Sequence, residues 1–287
     1  MPYYTLNIKG RLMSLATPRV MGIVNVTPDS FFAGSRADGA SAVRQRVSRM
    51  LAEGADIIDV GACSTRPGSQ PVSEKEEMAR LRQALKAVRS EAPQAVVSVD
   101  TFRPDVACMA VEECGADIIN DVGSTATLPV GGNAQSPADV AALMPMMRMV
   151  ARLAVPYVLT SQQPTLRQTL LFMASAVQAL RELGHKDIIA DPGFGFGKTI
   201  EQNYALLSAL ERLQVLELPV LTGLSRKSMI TRALDITTDD ALNGTTALHA
   251  VALMKGASIL RVHDVKEAVQ CVRLLTLLST TDVTNLT

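Results

Sequence analysis

The chain carries no net charge: Lys plus Arg and Asp plus Glu stand at 28 each, so no overall field draws it onto nucleic acid or an anionic membrane surface. Any anion it binds must be held by a local site. No stretch approaches the roughly 20 apolar residues that a membrane-crossing helix requires, and the opening MPYYTLNIKGRLMSLA has no charged segment followed by an apolar one. A secretion signal is therefore not expected, and the expected compartment is the cytoplasm. Cysteine is scarce as well. Cys63, Cys108, Cys114 and Cys271 show no C-x-x-C spacing, which favours buried free thiols in a reducing cytosol over disulfides or a zinc site. What remains is a globular chain: 47% of its residues are hydrophobic, enough for a large core. Its 287 residues suit one large barrel or two modest domains.

One short pattern recurs, as Gly54-Ala-Asp-Ile-Ile, Gly115-Ala-Asp-Ile-Ile, Gly184-His-Lys-Asp-Ile-Ile and Gly256-Ala-Ser-Ile-Leu. Each Gly closes a helical-looking segment, where a left-handed C-cap favours glycine, and the β-branched run after it reads as a buried strand. Four further apolar runs keep the spacing: Val20 to Val24, Ala95 to Val99, Val155 to Leu159 and Pro219 to Thr222. Helix-like segments lie between them, among them Ala40 to Ala52, Ser73 to Ser90, Pro104 to Cys114, Thr165 to Leu183, Glu201 to Leu213 and Asn243 to Lys255. Eight strand–helix alternations with no linker predict a closed parallel (β/α)₈ barrel rather than an open sheet, in a single domain spanning 1–287. Within it, Tyr4 to Leu15 alternates around Lys9-Gly10 and predicts an N-terminal β-hairpin over 1–18, with the barrel over 19–280. Val122 to Ser136, rich in small residues, reads as a long loop.

In such a barrel the C-terminal strand ends converge on one mouth, and here they are polar: Asn25-Val-Thr-Pro-Asp-Ser30, Ser64-Thr-Arg-Pro-Gly68, Ser98-Val-Asp100, Asn120-Asp121, Asp191 to Lys198, Gly223 to Ser228 and Arg261-Val-His-Asp264. Taken singly, Asp100 or Asp191 reads equally well as a helix cap or turn former, Arg66 or Lys227 as a solvated charge and His263 as a loop histidine. Seven strands delivering such groups to one end argue for function instead. His185 and His249 have no such company and read as structural. Gly193-Phe-Gly-Phe-Gly197 fails the G-x-G-x-x-G pattern and is not read as a nucleotide loop.

These residues divide into three groups. Asp100, Asn120 and Asp191 offer acceptors and an amide suited to a fused heterocycle with a guanidine-like edge, and Lys227 suits its ring carbonyl. Asn25, Arg261 and His263 suit a polyphosphate, the Asn oxygen being able to carry a magnesium ion. Ser64 to Pro67 with Ser225 and Ser228 suit a carboxylate, helped by the N-terminus of a helix starting near Arg226.

Together the strand ends resemble the dihydropteroate synthases, over nearly the whole chain. The motifs that carry the resemblance are MGIVNVTPDSFF at Met21 to Phe32, STRPG at Ser64 to Gly68, SVDT at Ser98 to Thr101, DPGFGFGK at Asp191 to Lys198, GLSRKSM at Gly223 to Met229 and RVHDV at Arg261 to Val265. The resemblance implies that Asp100, Asn120, Asp191 and Lys227 hold a pterin, that Asn25, Arg66, Arg261 and His263 hold pyrophosphate with Mg2+, and that Thr65, Arg66, Pro67, Phe196, Ser225 and Ser228 surround p-aminobenzoate. It further implies mobile loops carrying Thr27, Pro28 and Asp29 and Ser64 to Gly68, competition by sulfonamides, and a homodimer. The apolar excess along Val265 to Leu278 would serve the last. Asp100, Asp191, Lys227, Arg261 and His263 are then the catalytic set. The chain departs from the family at Thr160-Ser161, where a Met-His pair is usual and the Met packs beside the pterin, and at Cys63, where Glu or Tyr is common. Segment 122–136 also differs. Two other readings compete: a pterin-binding paralogue without synthase activity, and a folate-binding methyltransferase barrel.

Overall fold

The computed structural model describes residues 3–26, 36–63, 72–123 and 137–281. The chain opens on a hairpin, β1 (Thr5–Ile8) and β2 (Arg11–Ser14), paired antiparallel through Lys9 and Gly10. Both turn residues have positive φ, 49° and 85°, the pattern of a two-residue turn whose twist matches its strands. Eight parallel strands follow: β3 (Arg19–Asn25), β4 (Ile57–Gly61), β5 (Val96–Asp100), β6 (Ile118–Asp121), β7 (Tyr157–Thr160), β8 (Ile188–Asp191), β9 (Val220–Thr222) and β10 (Ala257–Val262). They close into a barrel in sequence order, β10 pairing with β3. The helices between and after them are α1 (Arg36–Glu53), α2 (Glu74–Glu91), α3 (Pro104–Glu112), α4 (Pro137–Leu153), α5 (Leu166–Glu182), α6 (Ile200–Ser208), α7 (Ser228–Leu234), α8 (Leu242–Met254) and α9 (Val265–Thr280). No described helix is long and apolar enough to cross a membrane.

Local chemistry sets the boundaries. Ser73, Thr165 and Thr199 each accept a first-turn amide with the side-chain oxygen, which satisfies a donor the helix cannot, and Pro104 starts α3 where no amide is needed. The recurrent glycines at 54, 115, 184 and 256 all have positive φ, so the repeat read from sequence is a helix-closing turn feeding a strand.

Strand periodicity decides what fills the barrel. Side chains alternate between faces, and the inner layer is Met21, Ile57, Ile118, Val158, Ile189, Leu221 and Ile259, plugged from below by Leu6, Ile8 and Leu15 of the hairpin. The opposite parity packs against the helices in a second, larger cluster. Two residues further along each strand, the inward layer becomes Ile23, Asp59, Ser98, Asn120, Thr160, Asp191 and Arg261. The interior is apolar at the hairpin end and polar at the mouth.

Candidate active site

Asp59 anchors the polar layer. Its Oδ2 accepts Arg261 Nε at 2.7 Å and Asn120 Nδ2 at 3.1 Å, and Arg261 donates from Nη2 to Asp100 Oδ2 at 2.7 Å. Asp59 is wholly buried. Burial lifts the Asp100 carboxyl to about 7, with Arg261 opposing the rise and Asp59, Asp121 and Glu77 adding to it. Burial works against the Arg261 cation, and Asp59 and Asp100 more than restore it. Glu77 of α2, also buried, accepts from Thr101 Oγ1 at 2.8 Å and from Arg103, fixing the chain just past Asp100. Four buried polar atoms in the inward layer have no hydrogen-bond partner among the described residues: Asp59 Oδ1, Ser98 Oγ, Asn120 Oδ1 and Thr160 Oγ1. Folded chains rarely leave such groups unmatched, and four in one layer mark a place built for an incoming polar molecule.

The next wall is Asp191 and the loop after it. Asp191 Oδ1 accepts Gly193 N–H at 2.8 Å. Gly193 has φ +70°, and a Cβ there would lie 2.0 Å from Ser161 O, so only glycine lets the loop fold back against β7. Lys198 locks this contact, its Nζ reaching Gly193 O at 2.9 Å, Phe196 O at 3.2 Å and Ser161 O at 3.3 Å. Lys227 Nζ donates to Phe194 O and stands 4.2 Å from the centre of the Phe196 ring, a cation–π contact. Burial lowers both ammonium groups to about 8 against the opposing pull of Asp191. Burial also raises Asp191, with Lys227 opposing.

On the third side Ser225 Oγ lies 3.0 Å from His263 Nδ1 and accepts the His263 N–H at 3.1 Å. Arg46 of α1 holds the His263 carbonyl at 2.7 Å. The helix expected near Arg226 starts at Ser228, with Lys227 as its N-cap. Arg226 has φ 55° and turns away to grip Asp264 through two nitrogens, at 2.8 and 2.9 Å. Asn25 ends β3 beside Gly61, where a Cβ would lie 3.7 Å from Asn25 Oδ1 and 3.6 Å from Asp100 Oδ2. The bare glycine leaves that gap open. Among the described residues no group of three or more His, Cys, Asp or Glu could hold a metal ion. Asn25 stands as a single oxygen donor.

Of the sequence-derived residues, Asp100, Asn120, Asp191, Phe196, Ser225, Lys227, Arg261 and His263 stand in these networks, with a different division of labour. Asp100, Asn120 and Arg261 form one network, so the arginine expected beside His263 also ties into the carboxylates. Asp191, Lys227 and Phe196 form a second group, Ser225 and His263 a third. Thr27, Pro28, Asp29, Thr65, Arg66, Pro67 and the segment 124–136 lie outside the described residues. Sequence reasoning misses Asp59 and Lys198, although the first shows as a carboxylate of inward parity within an apolar strand and the second closes the DPGFGFGK motif. His185 and His249 are buried, and burial lowers both, His249 to about 4. Cys63, Cys108 and Cys114 are half-buried and Cys271 buried, all as free thiols.

A closed parallel barrel with carboxylates, lysines and an arginine converging at the C-terminal strand ends is an enzyme barrel. Comparison with known proteins gives it a family. The profile described as pterin binding enzyme matches residues 21–263. The dihydropteroate synthase of Escherichia coli K12 is 35% identical over 269 residues, 93% of this chain and 94% of that protein, and that of Bacillus subtilis 168 is 37% identical over 264 residues, 89% and 87%. The crystal structure of Xanthomonas albilineans dihydropteroate synthase with 4-aminobenzoic acid superposes with a TM-score of 0.84 at 35% identity, covering 98% of this chain and 100% of that one. The Yersinia pestis enzyme in complex with a sulfonamide drug gives 0.83 at 32%, covering 97% and 100%. The chain belongs to the pterin-binding enzyme family, in its dihydropteroate synthase branch.

Proposed function

We propose that the chain catalyses dihydropteroate synthesis, an alkyl transfer that joins p-aminobenzoate to the methylene of 6-hydroxymethyl-7,8-dihydropterin pyrophosphate and releases pyrophosphate. The observation that carries this reading is the polar inward layer: in a chain of this family, Asp100, Asn120, Asp191 and Lys227 surround unmatched buried atoms that a pterin edge would satisfy. The carboxylates accept ring and amino N–H groups, and Lys227, released from Phe194 O, donates to the ring carbonyl. The carbon–oxygen bond to pyrophosphate breaks first, its electron pair leaving on oxygen. The cation left on the methylene spreads into the ring, where buried carboxylates stabilise it without reorganising. The amine of p-aminobenzoate then attacks the methylene carbon and loses a proton.

To Arg261 and His263 we assign the departing pyrophosphate. Asn25 fits Mg2+ as a single hard oxygen, since this ion keeps waters and phosphate oxygens as most of its ligands; when bound it neutralises the leaving group's charge. We assign p-aminobenzoate to Phe196, Ser225 and Ser228 together with Thr65, Arg66 and Pro67, and a sulfonamide to the same place as competitor. The compartment we assign is the cytoplasm. Similarity to dihydropteroate synthases over nearly the whole chain favours catalysis over a paralogue that merely binds pterin, and the GLSRKS segment has no use in a folate-binding methyltransferase. The test is direct: purified protein given dihydropterin pyrophosphate, magnesium and p-aminobenzoate should yield dihydropteroate and pyrophosphate in equal amounts. Tight pterin binding with no product would establish the binding-only reading.

A further inference from the structure

Thr160, at the end of β7, contributes one of the four unmatched atoms of the inward layer and is the one that stands where the chain departs from the family. It lies two residues past Val158 of the inner apolar layer and opposite Asp191 in the β7–β8 register, so it faces the barrel axis. It is wholly buried. Its methyl is turned to the loop after β8, since a Cβ on Gly193 would lie 3.2 Å from Thr160 Cγ2, and its hydroxyl has no hydrogen-bond partner among the described residues. The neighbouring groups are already engaged: Asp191 Oδ1 accepts Gly193 N–H, and Ser161 O accepts Lys198. A buried hydroxyl left unmatched destabilises the free fold, so its presence calls for a partner that arrives.

We infer that Thr160 is a specificity-determining residue, its hydroxyl hydrogen-bonding a ring nitrogen or carbonyl of the bound pterin at a place where the family resemblance implies only apolar contact. The inference rests on the pterin assignment proposed above. A hydroxyl both donates and accepts, so it can serve either kind of ring atom. One unmatched atom then has two opposite effects: it weakens the free protein and strengthens the complex.

Thr160→Val keeps the shape and removes the oxygen, and so separates the two. The variant should melt at a higher temperature than wild type in the absence of ligand. It should bind a non-reactive oxidised pterin, 6-hydroxymethylpterin, more weakly by about threefold to tenfold in calorimetric titration, the worth of a neutral hydrogen bond. KM for dihydropterin pyrophosphate should rise by a similar factor, while KM for p-aminobenzoate stays within about twofold. Thr160→Ser should keep wild-type affinity to within about twofold. Unchanged pterin affinity in Thr160→Val overturns the inference, and so does loss of affinity together with loss of thermal stability, which would place the hydroxyl in the protein's own network. Asp191→Ala, run alongside, separates this failure from that of the wider reading. If it loses the pterin while Thr160→Val does not, only the role of Thr160 falls; if both bind as wild type, the pterin assignment falls with it.

Discussion

Burial holds several side chains at the barrel mouth away from their ordinary ionisation, carboxyls upward and ammonium groups downward, and Asp100 and Lys227 are the pair assigned to the pterin. Asp100 is raised to about 7 by burial and Lys227 lowered to about 8 by the same cause. Both are charged together only in the interval between those values. The stability contribution of a raised carboxyl is complete below its unfolded value and disappears as pH climbs through about 7; that of a depressed lysine is complete above its unfolded value and disappears as pH falls through about 8. The folded protein thus gives up stability to keep both groups ionised at working pH, where a ligand with complementary edges repays it. The consequence for activity has a definite sign. Below about 7 Asp100 gains a proton and ceases to be a pure acceptor, and above about 8 Lys227 loses the proton it must donate. The pH profile of kcat/KM for dihydropterin pyrophosphate should therefore be bell-shaped, with its maximum between these limbs. In Lys227→Gln the alkaline limb should weaken within whatever activity survives. A wild-type profile flat from pH 6 to 9 would contradict the roles given to both residues.

At the scale of elements, the loop joining β8 to α6 is held by more than its backbone conformation, and Gly184, in the connection that leads into β8, serves as the control. Gly184 and Gly193 both have positive φ, 82° and 70°. A Cβ on Gly184 would meet nothing within 4 Å, whereas one on Gly193 would meet Ser161 O at 2.0 Å. Gly184→Ala should cost only the left-handed strain, about 1–2 kcal/mol. Gly193→Ala should cost distinctly more in chemical denaturation, and should also reduce pterin affinity by displacing Asp191. Equal costs would mean that the loop yields without effort. Much of this element-level architecture was legible in the sequence, because the helix-closing glycines and the β-branched runs are local signals: all eight strands followed from them, and the hairpin from its alternation around Lys9-Gly10. The rest depends on tertiary placement. Asp59 is hidden inside a run that reads as buried strand, and only closure of the barrel aims its carboxylate at Arg261, 202 positions away. Lys198 looks like a loop cation until β7 and β8 bring three carbonyls to it.

At the scale of the whole molecule, one face remains unaccounted for by the barrel itself. Leu274, Leu277 and Leu278 of α9 expose 65%, 63% and 69% of their surface, and Met254 of the neighbouring α8 exposes 67%. The spacing of 274, 277 and 278 puts the three leucines on one side of α9, and α9 packs beside α8, so the apolar residues of the two helices share one side of the barrel. Scattered single leucines on a surface need no explanation, but a cluster of this kind is a common mark of a protein interface. Because α9 follows the last strand, the cluster sits on the outer helical ring, and a partner seated there would leave the mouth free for substrates. We propose a second copy of the chain as that partner, in the self-complementary arrangement that closes a two-fold dimer. Wild-type protein should then sediment as a species of two chains at micromolar concentration, with a melting temperature that rises with concentration. Leu274→Arg combined with Leu278→Arg should sediment as one chain and lose that concentration dependence, while retaining the pterin site at the opposite end of the strands. A wild-type monomer across the same range of concentrations would remove the dimer, and the two arginines would then be expected to change nothing but solubility.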